Sequence, residues 1–424
     1  MTVTVRPLDD ETYLRLAGDV PLPLEQAPAW DAFDRAVPGR RPWRRLGLWE
    51  GEELLALVSL TEMRGRGFRY LWAKHGPVWL AEQTPARERA AREALVAGVR
   101  RADRGLAFVR LHARHRADDL HELLQTVTFD RTVVLDLARE EEEILASMKK
   151  RGRRDVRKAL RDTTMTAGEE TGLSRERFHE LYQLLVETSG RDGFGISDED
   201  VYWTMLDSLG KHARIFVARR EGRPLAWGIV TVHGAHASYY YAASNAEGRR
   251  SGAADLLIWH MATALRASGV RVLDLMGIDS DRAPQLSGVR DFKTKFSEEV
   301  TEVDGAWDVP VHRAWYRALV VALAAKRGAV GIVREAPGRA RVLAARLRPA
   351  PKEVAADAGG TAGVDASREA GAGAGGEAGA GGEAGAGGEV TDAGKAGAAV
   401  GESAPQGRPA AAAGGDAGKP ASGS

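Results

Sequence analysis

From Trp43 onward the chain alternates short runs of branched and aromatic residues with turn residues. RRLGLWE, GEELLALVSLTEM and GFRYLWAKHGPVWL are separated by Glu50-Gly51 and by the glycines at 65 and 67. Such runs bounded by glycine predict a β-meander. Thr84-Pro85 then predicts the start of a long helix ending near Asp103, with a capping threonine and a proline in its first turn. Gly105 and a strand, LAFVRLH, follow. The same order returns later. Residues 213–219, 225–233 and 237–243 read as strands joined by turns at 221–224 and Gly234. A helix is expected over 252–268, with Leu256, Leu257, Met261 and Leu265 on one face, and a strand over 270–276.

The repeat lies in the order of elements, not in the residues. It predicts an α+β protein of two similar halves, each a mostly antiparallel sheet with helices packed on it. The expected divisions are 1–137, 138–310, and basic amphipathic helices over 311–349, broken near Gly328 and Pro337 and packing back on the first half. A tail over 350–424 repeats AGAGGE three times, holds no aromatic residue and is expected to be disordered. Residues 1–24, with Pro7, Pro21 and Pro23, read as an irregular lead-in, and residues 26–33 as the opening of a short helix.

One helix is expected over 140–161, acidic at its start and basic at its end. Lys149, Lys150, Arg151, Arg153, Arg154, Arg157, Lys158 and Arg161 crowd its last turns. Such a density suits a solvated face or contact with nucleic acid or phosphate. In the whole chain, charge is nearly balanced, with 60 bases, 59 acids and a net +1. The tail from 352 holds ten acids and five bases, so residues 1–351 carry +6. The 424 residues include no cysteine. That excludes disulfides, thiolate catalysis and cysteine-ligated metals. The N-terminal residues lack a signal-peptide pattern and no apolar run is long enough to span a membrane, so a cytoplasmic protein is expected.

Residues 288–308 concentrate candidate chemistry. Phe292-Lys293-Thr294-Lys295-Phe296 is followed by a charged run and by Gly305-Ala306-Trp307-Asp308. Read as an extended segment, it places Lys293 and Lys295 on one side, beside two aromatic rings. That would suit an anionic ligand. Arg249-Arg250-Ser251-Gly252-Ala253-Ala254 fits the R-x-x-G-x-A loop of the GNAT acyltransferases, after a strand and before a helix. In that family the helix N-terminus holds the pyrophosphate of coenzyme A. No serine-hydrolase elbow, Walker loop or dinucleotide fingerprint occurs. His112 and His115 read as a surface pair, and neither a metal nor a cofactor is expected.

Together these motifs resemble the FemX/FemA/FemB family of peptidoglycan bridge-forming aminoacyltransferases, over roughly residues 24–320. Gln26 and Trp30, Gly76-Pro77, and Thr132 through Leu137 carry the likeness in the first part. In the second part Arg154, Arg157, Lys158 and Ala159, Thr188 through Phe194, Tyr239 through Ser244, Asp274 through Gly277, and Phe292-Lys293 carry it. The long helical arm of the FemA branch is missing between Arg161 and Phe178, so the likeness is to the shorter FemX-like branch.

The resemblance implies two GNAT-like domains in tandem and transfer of an amino acid (Gly, Ala or Ser) from aminoacyl-tRNA. The acceptor would be the third-residue amine of the peptidoglycan stem peptide, on lipid II or UDP-MurNAc-pentapeptide. Lys293 would stabilise the tetrahedral oxyanion, and Asp308 would help accept the amine proton. Phe292, Arg191, Tyr239, Tyr241, Arg35 and Lys295 would bind substrates. Lys149, Lys150, Arg153, Arg154, Arg157 and Lys158 would bind tRNA. The family's lysine after the opening tryptophan is replaced here by Asp34, Arg35, Arg40 and Arg41, which leaves Arg35 as the candidate. Peripheral contact with the inner face of the membrane is part of the same expectation. Two other functions stay open: an acyl-CoA-dependent GNAT N-acyltransferase, and a non-catalytic binder of tRNA or cell-wall precursor.

Overall fold

The structure is a computed structural model that describes residues 2–325 apart from 66, 125–128 and 193–194. The tail over 350–424 and most of the segment 311–349 therefore lie outside the described residues. Two seven-stranded sheets organise the chain. The first contains β1 (Val3–Leu8), β2 (Arg40–Glu50), β3 (Glu53–Gly65), β4 (Phe68–Trp72), β5 (Val78–Trp79) and β6 (Leu106–Ala113). The second contains β7 (Arg131–Asp136), β8 (Met165–Glu169), β9 (Ala213–Arg220), β10 (Arg223–His233), β11 (His236–Ser244), β12 (Val272–Gly277) and β13 (Thr301–Glu302). A last strand, β14 (Gly305–Pro310), returns to the first sheet and pairs antiparallel with β6.

The sheets share one plan. The first runs β1-β2-β3-β4-β6-β14 and the second β8-β9-β10-β11-β12-β7, with β13 at its far edge. Each contains one parallel pair, β4 with β6 and β11 with β12. Parallel neighbours need a crossover, and a helix fills each one. These are α3 (Pro85–Ala102) and α9 (Ala253–Ala267). Thr84 Oγ1 caps α3 by accepting from the Arg87 amide, and Pro85 opens it, as the sequence predicts.

The remaining helices are α1 (Asp10–Ala17), α2 (Asp31–Ala36), α4 (Glu141–Ser147), α5 (Lys150–Arg161), α6 (Arg175–Asp192), α7 (Glu199–Leu209), α8 (Ala246–Ser251), α10 (Ser287–Lys293) and α11 (residues 313–325). The second sheet is packed on both faces. One core sets Val156, Ala159, Leu257, Met261 and Phe296 against it. The other sets Phe178, Leu185, Tyr202 and Met205 against the opposite face, joined by Trp30 and Phe33 from the first half. Among the described residues no helix is long and apolar enough to cross a membrane.

Several expectations change. The lead-in is structured: β1 pairs with β2, and Asp9 caps α1. Pro7 is tolerated because β1 is an edge strand. The helix over 140–161 breaks at Met148 into α4 and α5, and a capping box at Glu140 and Glu143 starts the first. The division at 137 is displaced, because β7 belongs to the second sheet and β14 to the first. His112 is buried, not superficial, and its Nδ1 hydrogen-bonds the Asp304 carbonyl at 2.8 Å.

His75, in a left-handed backbone conformation (φ 52°), is buried with its ring 5.1 Å from that of His112. Burial, then the charges of His112 and Lys74, hold its pKa well below the usual 6.5. Burial also lowers the pKa of His236 and His260. In the fold these imidazoles take up protons only at lower pH than in the unfolded chain, which does so as pH falls through 6.5. The thermal midpoint should therefore fall on acidification below that value. His75→Asn, which tolerates this backbone, should make the fall shallower in a pH series of melting curves. An unchanged slope would contradict the assignment.

Candidate active site

The stretch 287–296 is helical. Val289, Phe292 and Phe296 fall at i, i+3 and i+7, the spacing of one helix face. α10 continues into a 3-10 turn, Thr294–Phe296. Phe296 is buried in the second-sheet core and Phe292 packs against it edge to face, with ring centroids 5.3 Å apart. Helical winding therefore turns Lys293 and Lys295 to different partners instead of one shared side.

Lys293 is 2% exposed and its Nζ donates to the Gly277 carbonyl at 2.9 Å. Gly277 ends β12, directly after Met276, whose φ is 66°. That conformation is costly for a side-chain-bearing residue. Asp274 holds it: its Oδ1 accepts from the Met276 amide at 2.7 Å and from the Thr132 hydroxyl. A Cβ at Gly277 would collide with the Phe129 ring. The Asp274-x-x-Gly277 motif is thus a turn that presents a carbonyl to the Lys293 ammonium.

Lys295 is a strut, not a ligand-facing cation. Its Nζ pairs with Asp255 in the first turn of α9, with Asp155 of α5 at 3.9 Å. It also lies 4.7 Å and 5.3 Å from the Phe292 and Phe296 ring centroids. Its carbonyl accepts from the Lys149 amide at 3.1 Å. A Cβ at Gly152 would collide with that carbonyl, so only glycine lets α5 sit so close. α5 then runs on past the start of α9, where a Cβ at Gly252 would lie 3.7 Å from the Ala159 methyl and 3.8 Å from Asp255 Oδ2. Burial raises the Asp255 pKa while Lys295 pulls it down.

The outer face of α5 is basic. Lys150, Arg151, Arg154, Arg157, Lys158 and Arg161 are exposed. Arg154 and Arg151 lean on Asp155, at 2.9 Å and 3.7 Å. Two expected members face elsewhere. Lys149 is half-buried at the N-cap, and Arg153 turns back to the Ala146 and Met148 carbonyls at the end of α4.

A second positive corner forms at the end of β11. Arg191, on the last turn of α6, and Arg249, on α8, donate to the same Ser244 carbonyl at 3.4 Å and 3.3 Å. The Thr188 hydroxyl joins them at 3.2 Å. Arg249 is absent from the sequence-derived candidates, although it opens the R-x-x-G-x-A motif. That motif does not follow the strand directly: Asn245 caps the short α8, and Gly252 (φ 84°) turns the chain into α9.

The other expected residues lie elsewhere. A bulge between Ile229 and Val230 opposite Tyr240 puts Tyr239 and Tyr241 on opposite faces of the sheet. Tyr239 enters the core beside α9, and Tyr241 packs at 4.7 Å on Tyr202 in the other. Both are buried core residues, not a shared groove lining. Arg35 is exposed on α2 and pairs with Asp31 at 3.1 Å. Asp308 lies in the first sheet, fully buried. It accepts from Arg110 Nε at 2.7 Å, the Leu124 amide at 3.2 Å and the Tyr316 hydroxyl at 3.3 Å. Its engagement is with the first sheet, whereas Lys293 belongs to the second half, so the structure does not bring the two expected residues together. Among the described residues no group of carboxylates and imidazoles could hold a metal.

Residues 146–294 match the family described as an acetyltransferase (GNAT) domain. No curated protein matches the chain by sequence. Among solved structures, FemX is similar over 74% of this chain and 99% of its own, at 15% identity and a TM-score of 0.57. The chain has the FemX-like tandem GNAT fold. A tandem GNAT protein from the clavulanic acid biosynthesis pathway is also similar (13% identity, 73% and 98% covered, TM-score 0.46). So is the C-terminal domain of a putative lysylphosphatidylglycerol synthetase from Agrobacterium fabrum (16%, 74% and 96%, 0.45). The α+β class and the two similar halves expected from the sequence hold, and the stretch that matches the GNAT domain lies in the second half.

Removing one partner of a buried ion pair costs about 3–5 kcal/mol. Asp308→Asn should therefore lose stability of that order, seen as an earlier denaturant midpoint. An Asp308→Asn protein as stable as wild type yet unable to turn over would restore Asp308 to the chemistry.

Proposed function

We propose that the protein is a tRNA-dependent aminoacyltransferase. It would move Gly, Ala or Ser from aminoacyl-tRNA to the third-residue amine of a peptidoglycan stem peptide, carried by lipid II or UDP-MurNAc-pentapeptide. One observation carries this reading: α5 lies against the N-terminus of α9. That helix end is where a GNAT enzyme would receive the pyrophosphate of coenzyme A. Here Ala159 of α5 lies beside it, and Asp255 in its first turn already sets a carboxylate, paired with Lys295, at that helix end. The basic face of α5 points outward in its place, and a polyanionic acyl carrier suits that surface better than a nucleotide tucked under it.

In this reading the acceptor amine attacks the ester carbon of the charged tRNA, and the carbonyl oxygen becomes an oxyanion. Lys293 stabilises that charge from a fixed, water-poor position. The C–O bond to the ribose then breaks, and the proton leaving the amine ends on the departing ribose oxygen. Substrate entry must shift the side chains that cover Lys293, since the residue is 2% exposed. Phe292 packs beside the terminal adenine. Arg191 and Arg249 together hold the acceptor's phosphates or carboxylates. A cytoplasmic protein meeting the inner face of the membrane fits a lipid-linked acceptor.

The acyl-CoA reading keeps one observation in its favour, the R-x-x-G-x-A sequence within the matched GNAT domain. A transfer assay separates the two. Labelled aminoacyl-tRNAs with lipid II should yield RNase-sensitive label in the lipid, while labelled acetyl-CoA yields none. Lys293→Met should lower kcat by about 100-fold or more. Label arriving only from acetyl-CoA would overturn the proposal, and silence from both would favour a binding protein. Arg249→Gln should raise KM for the acceptor about tenfold with little change in kcat. A fall in kcat at constant KM would remove Arg249 from acceptor binding.

A further inference from the structure

Helix α11 is apolar almost all round. Its sequence, RAWYRALVVALAA over residues 313–325, holds two arginines, no acid and no uncharged polar group except the Tyr316 hydroxyl and the Trp315 indole N–H. One face is accounted for. Trp315, Tyr316, Leu319 and Leu323 pack against Phe68, Phe108 and Leu124 of the first half. The opposite face is open: Val320 is 42% and Val321 67% exposed, with Ala314, Ala318 and Ala324 around them. A solvated helix face is ordinarily polar, and one that is apolar on every side has something covering it.

The surroundings indicate the cover. Arg313 and Arg317 are exposed on α11 itself. The helix start is tied to the turn after α3: Arg100 Nε donates to the Val311 carbonyl at 2.9 Å, and His312 Nε2 hydrogen-bonds the Arg104 carbonyl at 3.1 Å. That brings the exposed Arg101 and Arg104 to the same corner. The sequence continuing over 326–351 adds seven bases and a single acid, Glu335. Docking that basic segment back onto α11 would set like charges together. A two-fold contact centred on Val320 and Val321 would gather Arg313 and Arg317 of both copies at one interface. Neither conflict arises against an anionic surface.

We propose that α11 and the basic corner beside it form a docking surface for anionic lipid, with Val320 and Val321 entering the interface and the arginines meeting headgroup phosphates. This surface stands on α11 alone and does not depend on the transferase reading. Turnover plays no part in its test, so the two can fail separately.

The test is co-sedimentation of the full chain with vesicles at low salt. Vesicles of phosphatidylglycerol and phosphatidylcholine in equal parts should carry the protein down, and pure phosphatidylcholine should not. Val320→Asp combined with Val321→Asp should weaken binding about tenfold or more, without altering the melting curve, because both side chains are exposed. Arg317→Glu should weaken it at low salt and matter less as salt rises. Failure of wild type to bind the anionic vesicles, or equal binding by the double aspartate variant, would overturn the proposal. So would a wild-type dimer in light scattering that the aspartates convert to monomer, since a second copy would then be the cover.

Discussion

The site depends on one close backbone approach, of Gly152 to the carbonyl of Lys295. Any side chain at 152 would lift α5 from the turn that follows α10. Because glycine allows contact, three things become one unit: the basic helix, the segment carrying Lys293, and the start of α9. Lys295 fastens them, with its ammonium on Asp255 and near the Phe292 and Phe296 rings, and its carbonyl on the Lys149 amide. A buried ion pair of this kind contributes little net stability, because desolvation offsets the attraction. Its value here is positional. It sets where α5 lies and, in the proposed reading, what kind of acyl carrier can approach.

The two sheets extend the same logic. Each is built around a parallel pair and a crossover helix, with the last strand delivered from elsewhere in the chain. β7 opens the second sheet immediately after the first half, and β14 closes the first sheet after the second half is complete. The halves therefore cannot be cut apart at one position. Trp30 adds a further link, packing 5.8 Å from Tyr240 across the boundary. Lys293 and the Arg191–Arg249 corner both lie on the second half, while the first half contributes α2, the buried Asp308 cluster and the platform for α11.

Local signals made much of this legible. Thr84-Pro85, the glycine turns and the strand runs predict α3, β2, β3, β4, β6 and β9 through β12 within a few residues, because each is bounded by residues with a specific backbone role, whereas β5 is merged with β4 in one run. The order of elements supplies the tandem α+β plan. What stayed hidden depends on distant pairing or on a competing pattern. Nothing local says that Gly305-Ala306-Trp307-Asp308 would pair with β6, so Asp308 looked like a partner for Lys293. The alternation of Phe and Lys over 292–296 suggested a strand, although Val289, Phe292 and Phe296 already carried helical spacing. A single bulge at Tyr240 reversed one tyrosine, which no periodicity rule foresees. α6 and α7 have no counterpart among the predicted elements, and Pro7 conceals an edge strand.

The most direct measurement of the central claim is a pair of binding titrations on the same protein, one with uncharged tRNA across a range of salt and one with acetyl-CoA. If α5 has replaced the nucleotide site, tRNA binds with a log–log salt slope of about −3 to −4, as expected for four phosphate contacts. The slope flattens when Lys150, Arg157, Lys158 and Arg161 are changed together to glutamine, and acetyl-CoA does not saturate. Saturable acetyl-CoA binding, with tRNA affinity that ignores those four substitutions, would contradict it.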